Sequence, residues 1–330
     1  MRKILIILGI LVLGGVVFYF FRPKTTSYSP TPLPKIELSF VKGMYLPSAL
    51  APARQPMAEP ARLKELGVNL VAFTVEYKVN EKGEQQRDPW GIVASKGQNL
   101  DERVISTIRK YKEAGFAVLV VPRIRYLPKG RGEPLGIPEN LQNDPKFFEG
   151  FNKFVLHLAE IAQKENVEFF TPADEPDYTM GPFRAATWMQ EILPQVRARF
   201  KGKLVYKGGF SPPGEISWFN FAGYDIAGTT IVVLDYYNEE QYRKMAKKQI
   251  ADLAEVAQKR DKVPEIWVSG FGVVEMTRNP LNENQKADIY RIVFEEAVGK
   301  TTGLIPWENP PNPLKDTLME KVIREWFTKI

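Results

Sequence analysis

The chain has 330 residues, 44% of them hydrophobic, with 45 Lys and Arg against 39 Asp and Glu for a net charge of +6. This is enough for one large α/β domain, and the charges are interleaved along helices rather than gathered in a basic block, which argues against a nucleic-acid partner. With no cysteine and a single histidine, thiolate catalysis, disulfides, Cys-ligated zinc, His-dependent triads and two-histidine zinc motifs are excluded, and proton transfer falls to Asp, Glu, Tyr or Lys.

Residues 4–21, ILIILGILVLGGVVFYFF, are 18 uncharged and nearly all apolar positions. At about 1.5 Å per residue they span roughly 27 Å, the thickness of a bilayer core. Residues 1–21 therefore read as a single N-terminal transmembrane helix, either an anchor or an uncleaved signal. The small-x-small pattern of a cleavage site is missing from VVFYFFRPK. Pro23, Pro30, Pro32 and Pro34 make 22–38 a stiff, extended linker. The expectation is a membrane-anchored protein whose main domain, 39–330, lies outside the cytoplasm.

From residue 41 onward, short apolar runs alternate with amphipathic stretches. The runs fall at 41–47, 68–77, 116–126, 167–175, 203–210, 224–234, 264–272 and 302–310. Helical periodicity follows at 60–66, 101–114, 145–165, 184–199, 238–260, 283–298 and 314–328, and the stretch after the fifth run holds only a turn of helix. ELGV and EAGF close two helices with glycine. The single histidine, His157, lies in the pattern KFVLHLAEIA and reads as a packed or surface helix residue. Eight strand–helix repeats predict a (β/α)8 TIM barrel, since the glycine fingerprint of an open dinucleotide-binding sheet is missing.

Chemistry in such a barrel gathers where the strands end. Those ends carry Glu76 and Tyr77, then Arg123, Arg125 and Tyr126, then Asp174 and Glu175, then Asp235 and Tyr236, and finally Trp307 and Glu308. Acids beside aromatics suit sugars, because carboxyl groups act on the glycosidic bond and rings stack on sugar faces. Neighbours on a strand point to opposite faces, so Asp174 is not expected to work beside Glu175 unless the backbone kinks.

The order of VKGMY, LKELGVNLVAFTV, VISTIRKYKEAGFAVLVVPRI, the run into VEFFTPADEPDY, FNFAGYDIAGTT and GLIPWENPPNP resembles glycoside hydrolase clan A, most closely the family 113 pattern of endo-β-mannanase-type barrels. The resemblance implies β-glycan chemistry, with Glu175 as the acid/base at the end of strand 4 and Trp307 as the floor of a sugar subsite. Three positions depart from that pattern. Asp174 stands where Asn is common, and the strand 6 tyrosine falls on Val232, with Tyr236 four residues on. In Ser269-Gly270-Phe271-Gly272, Gly270 stands where the resemblance implies the nucleophilic Glu of strand 7.

A displaced second carboxylate is sought at Glu275, Glu76, Asp235 or Glu308, with Glu275, five residues past Gly270, as the first choice. In the resulting expectation Glu175 is the general acid and Glu275 its partner. Arg123 and Asp174 orient the site, while Tyr126, Tyr236 and Trp307 hold sugar rings. The partner is a polysaccharide or oligosaccharide, and no metal or cofactor is implied. The alternative is a barrel that kept the groove but lost the chemistry, a carbohydrate-binding or cell-surface protein.

Overall fold

The computed structural model describes residues 33–46, 56–85, 100–128, 136–209, 215–233, 238–273, 280–308 and 314–330. Each apolar run forms a strand: β1 Val41–Leu46, β2 Leu70–Val79, β3 Ala117–Tyr126, β4 Phe169–Phe170, β5 Lys203–Lys207, β6 Ile226–Val233, β7 Glu265–Val273 and β8 Gly303–Pro306. They pair in parallel in sequence order, and β1 closes on β8 through Val41 opposite Gly303. Because a closed parallel barrel buries both faces of each strand, the strands read as near-continuous apolar runs. Alternate positions still divide the work. Leu70, Ala72, Leu119, Val121, Val205 and Trp267 fill the barrel, and the residues between them pack outward against the helices.

The helices are α1 Pro60–Glu65, α2 Leu100–Glu113, α3 Glu139–Gln142, α4 Pro145–Lys164, α5 Pro176–Met180, α6 Pro182–Arg199, α7 Glu239–Ala254, α8 Glu283–Ala297 and α9 Leu318–Lys329. Their starts are chemically marked. Asp144 accepts from Lys146 N ahead of α4, and Asn282 and Gln285 form a capping box at α8. Gly67 and Gly115 take positive φ just past α1 and α2, as the ELGV and EAGF signals require. The connection after β5 holds one tight turn, Glu215–Trp218.

The fourth run departs from expectation, since only two residues of 167–175 join the regular ladder. Pro172 has no N–H to give. The chain nevertheless continues beside β3, Thr171 N donating to Val120 O and Asp174 N to Pro122 O at 2.8 Å.

At the opposite end, Ile36 and Leu38 pack against the interior cluster, so the end of the 22–38 stretch seals the barrel's base. There the buried Glu168 takes hydrogen bonds from Ile36 N and Val118 N, both at 2.9 Å, and faces the Lys112 ammonium. Among the described residues no helix is long and apolar enough to cross a membrane. The expected anchor at 1–21 lies outside them.

Removing one member of a buried pair leaves the other charged and unsolvated. Glu168→Ala is expected to lower unfolding free energy by about 3–5 kcal/mol, read as a lower urea midpoint with an unchanged m-value.

Candidate active site

Alternation along the strands carries Tyr45, Glu76, Arg123, Lys207, Thr230 and Trp307 to the C-terminal mouth, and irregular stretches after β4 and within β7 bring Asp174 and Gly270 there. At its centre is Lys207, the last residue of β5, whose side chain has 0% exposure. Its Nζ lies 2.6 Å from Asp174 Oδ1. The same ammonium donates to Glu175 Oε1 at 3.3 Å and stands 4.8 Å from the centre of the Tyr45 ring. Burial works against its charge, but Asp174 and Glu175 outweigh that and raise its pKa.

Asp174 and Glu175 reach one ammonium because the chain kinks between them. Glu175 has φ 45° and ψ 57°, left-handed values that cost an L-residue energy. Glu175 N bonds Lys207 O at 3.1 Å, and Tyr178 N and Thr179 N bond back to Glu175 O. The expectation that strand alternation would separate the two acids is corrected by this turn. Thr230 Oγ1 donates to Glu175 Oε1 at 2.7 Å, and the Glu175 side chain stays 24% exposed, open to a ligand. Tyr45 donates to Asp174 Oδ2 at 2.6 Å. Burial and then the Asp174 charge keep this phenol protonated. Burial opposes the charge on Asp174 too, but Lys207 and Arg123 hold its carboxyl below the ordinary value.

Arg123 Nε is 3.9 Å from Asp174 Oδ2, on the open side of the mouth. Glu76 pairs with Arg125 at 3.0 Å and with Lys78 at 3.3 Å, which makes it part of a rim ion-pair network. Two expected site residues face elsewhere. Tyr126 packs against the outer core, because Ile124 and Tyr126 share the helix-facing side of β3. Glu308 is fully buried and accepts from Met57 N at 3.2 Å, pinning the connection after β1. Burial pushes its pKa to about 7, against the Met57 and Leu314 N–H groups. Asp235, Tyr236 and Glu275 lie outside the described residues.

Strand 7 presents backbone where the resemblance implied an acid. A Cβ on Gly270 would stand 2.9 Å from Thr230 Oγ1 and 3.4 Å from Trp307 Cε3, and one on Gly272 only 2.2 Å from Trp307 Nε1. The half-buried indole thus lies against glycine backbone at the mouth, in space that side chains at 270 and 272 would contest. A bulge at Ser269 sets this register, since Thr229 faces Val268 but Thr230 faces Gly270.

The sequence pattern assigns no role to Lys207, Tyr45, Thr230 or Asp177. A lysine ending the apolar run KLVYK was the one available signal. Asp177 accepts from Gly209 N at 2.8 Å beneath Glu175. Burial raises its carboxyl to about 7, Gly209 N–H partly opposing and the Glu175 charge adding.

The barrel thus closes around a mouth that presents a left-handed Glu at the end of β4 and an aromatic after β8. The profile of Glycoside Hydrolase Family 113 matches residues 53–276, and the chain belongs to that family. The fold is similar to a family 113 β-mannanase from Alicyclobacillus acidocaldarius in complex with ManMIm (18% identity, TM-score 0.66, 89% of this chain and 98% of that one). Another family 113 β-1,4-mannanase shares 17% identity at TM-score 0.65, over 89% of this chain and 100% of its own. An endo-β-1,4-mannanase from Thermotoga petrophila shares 15% at 0.59, over 89% and 77%. No curated protein sequence matches the chain.

Asp177 predicts a pH dependence of stability. Its folded pKa of about 7 lies above the ordinary 3.8, so the folded state holds the proton more tightly than the unfolded chain does. This contribution is greatest below the unfolded value, declines as pH rises through the window between the two, and is lost above about 7. The decline is on the order of 4 kcal/mol. Asp177→Asn should make that part of the curve shallower, leaving the decline that Glu308, also raised to about 7, contributes in the same window, measured by urea unfolding from pH 4 to 8.

Proposed function

We propose that the protein is a glycoside hydrolase acting on β-linked polysaccharide or oligosaccharide, with Glu175 as its acid/base. The observation that carries this is Glu175 itself, the quarter-exposed carboxylate that a left-handed backbone turns into the mouth beside Thr230. Such strain persists where the surrounding structure enforces it, and it concentrates at working sites. Trp307, just after β8 and against the backbone of Gly270 and Gly272, offers an aromatic floor for a sugar ring.

Glycoside hydrolysis by this route needs a second carboxylate. Asp174 is held by Tyr45 and Lys207, and Asp177 is buried on Gly209 N. Glu76 is tied into the rim ion pairs and Glu308 is buried, so of Glu275 and Asp235 the proposed partner is Glu275, five residues past Gly270. A second reading, glycan binding without hydrolysis, is favoured by one observation: Gly270 brings no carboxylate to β7 beside Thr230 and Trp307. We further propose that residues 4–21 anchor the protein with its barrel outside the cytoplasm, on the strength of their uninterrupted apolar character.

The protein and its Glu175→Gln and Glu275→Gln variants should be assayed on a panel of β-linked glycans for reducing-end release and for binding. On the hydrolase reading the parent releases sugar, and each variant loses about 10²–10⁴-fold in rate while still binding. Undiminished release from Glu275→Gln would move the second role to another acid. Binding by the parent with no release from any protein would establish the second reading. For the anchor, deletion of 1–21 is expected to shift the protein from the membrane pellet to the supernatant, and a deletion variant still in the pellet would refute it.

A further inference from the structure

Among the described residues, Phe183 and Trp218 are the most exposed large apolar side chains, at 71% and 41%. Both sit where patterning calls for something polar. Helix α6 is amphipathic, burying Ala185, Trp188, Met189 and Ile192. Phe183 lies on the opposite face, one turn from the exposed Thr187, whose hydroxyl donates to Phe183 O at 3.0 Å. Its neighbour Arg184 turns inward instead and covers the Phe148 ring at 4.2 Å. In the turn after β5, Ile216 and Phe219 are buried while Trp218 faces out. Two rings from separate connections thus meet in solvent, with centroids 5.3 Å apart and planes inclined by 34°.

A local departure from pattern without a packing gain is where function is to be sought. The exposed surface consists of flat rings, which suit the C–H faces of a pyranose while sugar hydroxyls stay in water. It is also tied to the mouth, because one connection carries Glu175, then the exposed Tyr178, then Phe183. Tyr178 N donates to Glu175 O at 3.1 Å.

We propose that Phe183 and Trp218 form a second glycan-binding surface outside the mouth, which holds a distant stretch of the same β-linked polysaccharide. This rests on the reading that the mouth takes such a glycan. A long chain engaged at both places is held with an effective concentration that a short oligosaccharide lacks. The pair should therefore matter for polymers and not for fragments.

The test uses the full-length protein and Phe183→Ala/Trp218→Ala, co-sedimented with insoluble β-mannan, cellulose and β-galactan. In parallel, binding of the matching soluble tetrasaccharides is measured by calorimetry, with melting temperature and oligomeric state as controls. The expected result is a loss of about tenfold or more in affinity for the retaining polymer, with tetrasaccharide binding and melting unchanged. Equal retention of parent and variant would overturn the proposal, as would equal loss for polymer and tetrasaccharide. A variant that changes only its oligomeric state would assign the rings to self-association and overturn it too. A parent that binds tetrasaccharide but no polymer refutes this surface alone. Binding of neither removes the glycan reading of the mouth, and this surface with it.

Discussion

Lys207 places an ammonium group inside the barrel with 0% side-chain exposure, and the layout of the mouth follows from neutralising it. Removing a charge from water costs several kcal/mol per ion unless partners are in place. Asp174 provides one at 2.6 Å and Glu175 another at 3.3 Å. Regular strand geometry would place two successive side chains on opposite sides. The left-handed turn at Glu175, costing about 1–3 kcal/mol, puts both on the same charge. Tyr45 then completes the shell by giving Asp174 its hydroxyl and Lys207 its ring face.

This arrangement sets what the site has to work with. Asp174 is committed to Tyr45 and Lys207. Glu175, held by Thr230 and Lys207 yet partly open to solvent, is the acid within reach of a ligand. On β7 the room next to Thr230 goes to the indole of Trp307, packed against backbone at Gly270 and Gly272. The same barrel that keeps an acid on strand 4 thus uses strand 7 to seat an aromatic ring.

The repeating frame was legible because strands buried on two faces and helices buried on one leave periods in the sequence that need no knowledge of distant partners. The runs at 68–77, 116–126 and 167–175 therefore carry Glu76, Arg125 and Glu175 to the barrel mouth. Which side an individual residue faces was harder. Tyr126 and Glu308 stand at strand ends but turn outward, Tyr126 by alternation along β3 and Glu308 by the backbone N–H it satisfies. A lysine closing an apolar run looks like a solvent-facing end, and only the folded barrel surrounds Lys207 with its two acids.

The amino-acid sequence by itself determined the eight-fold βα order, the glycine stops of α1 and α2, the Glu at the end of β4 and the glycine at position 270 of β7. These are local facts, written in periodicity and in the identity of single residues. Only the tertiary structure decided that Asp174 and Glu175 share one buried ammonium, that Thr230 fixes the acid, that Trp307 occupies the space beside Gly270 and Gly272, and that Phe183 meets Trp218 in solvent. Each of these joins residues from different strands or connections. Their contacts come from barrel closure, a bulge at Ser269 and one left-handed residue, and neither composition nor spacing along the chain encodes such distances.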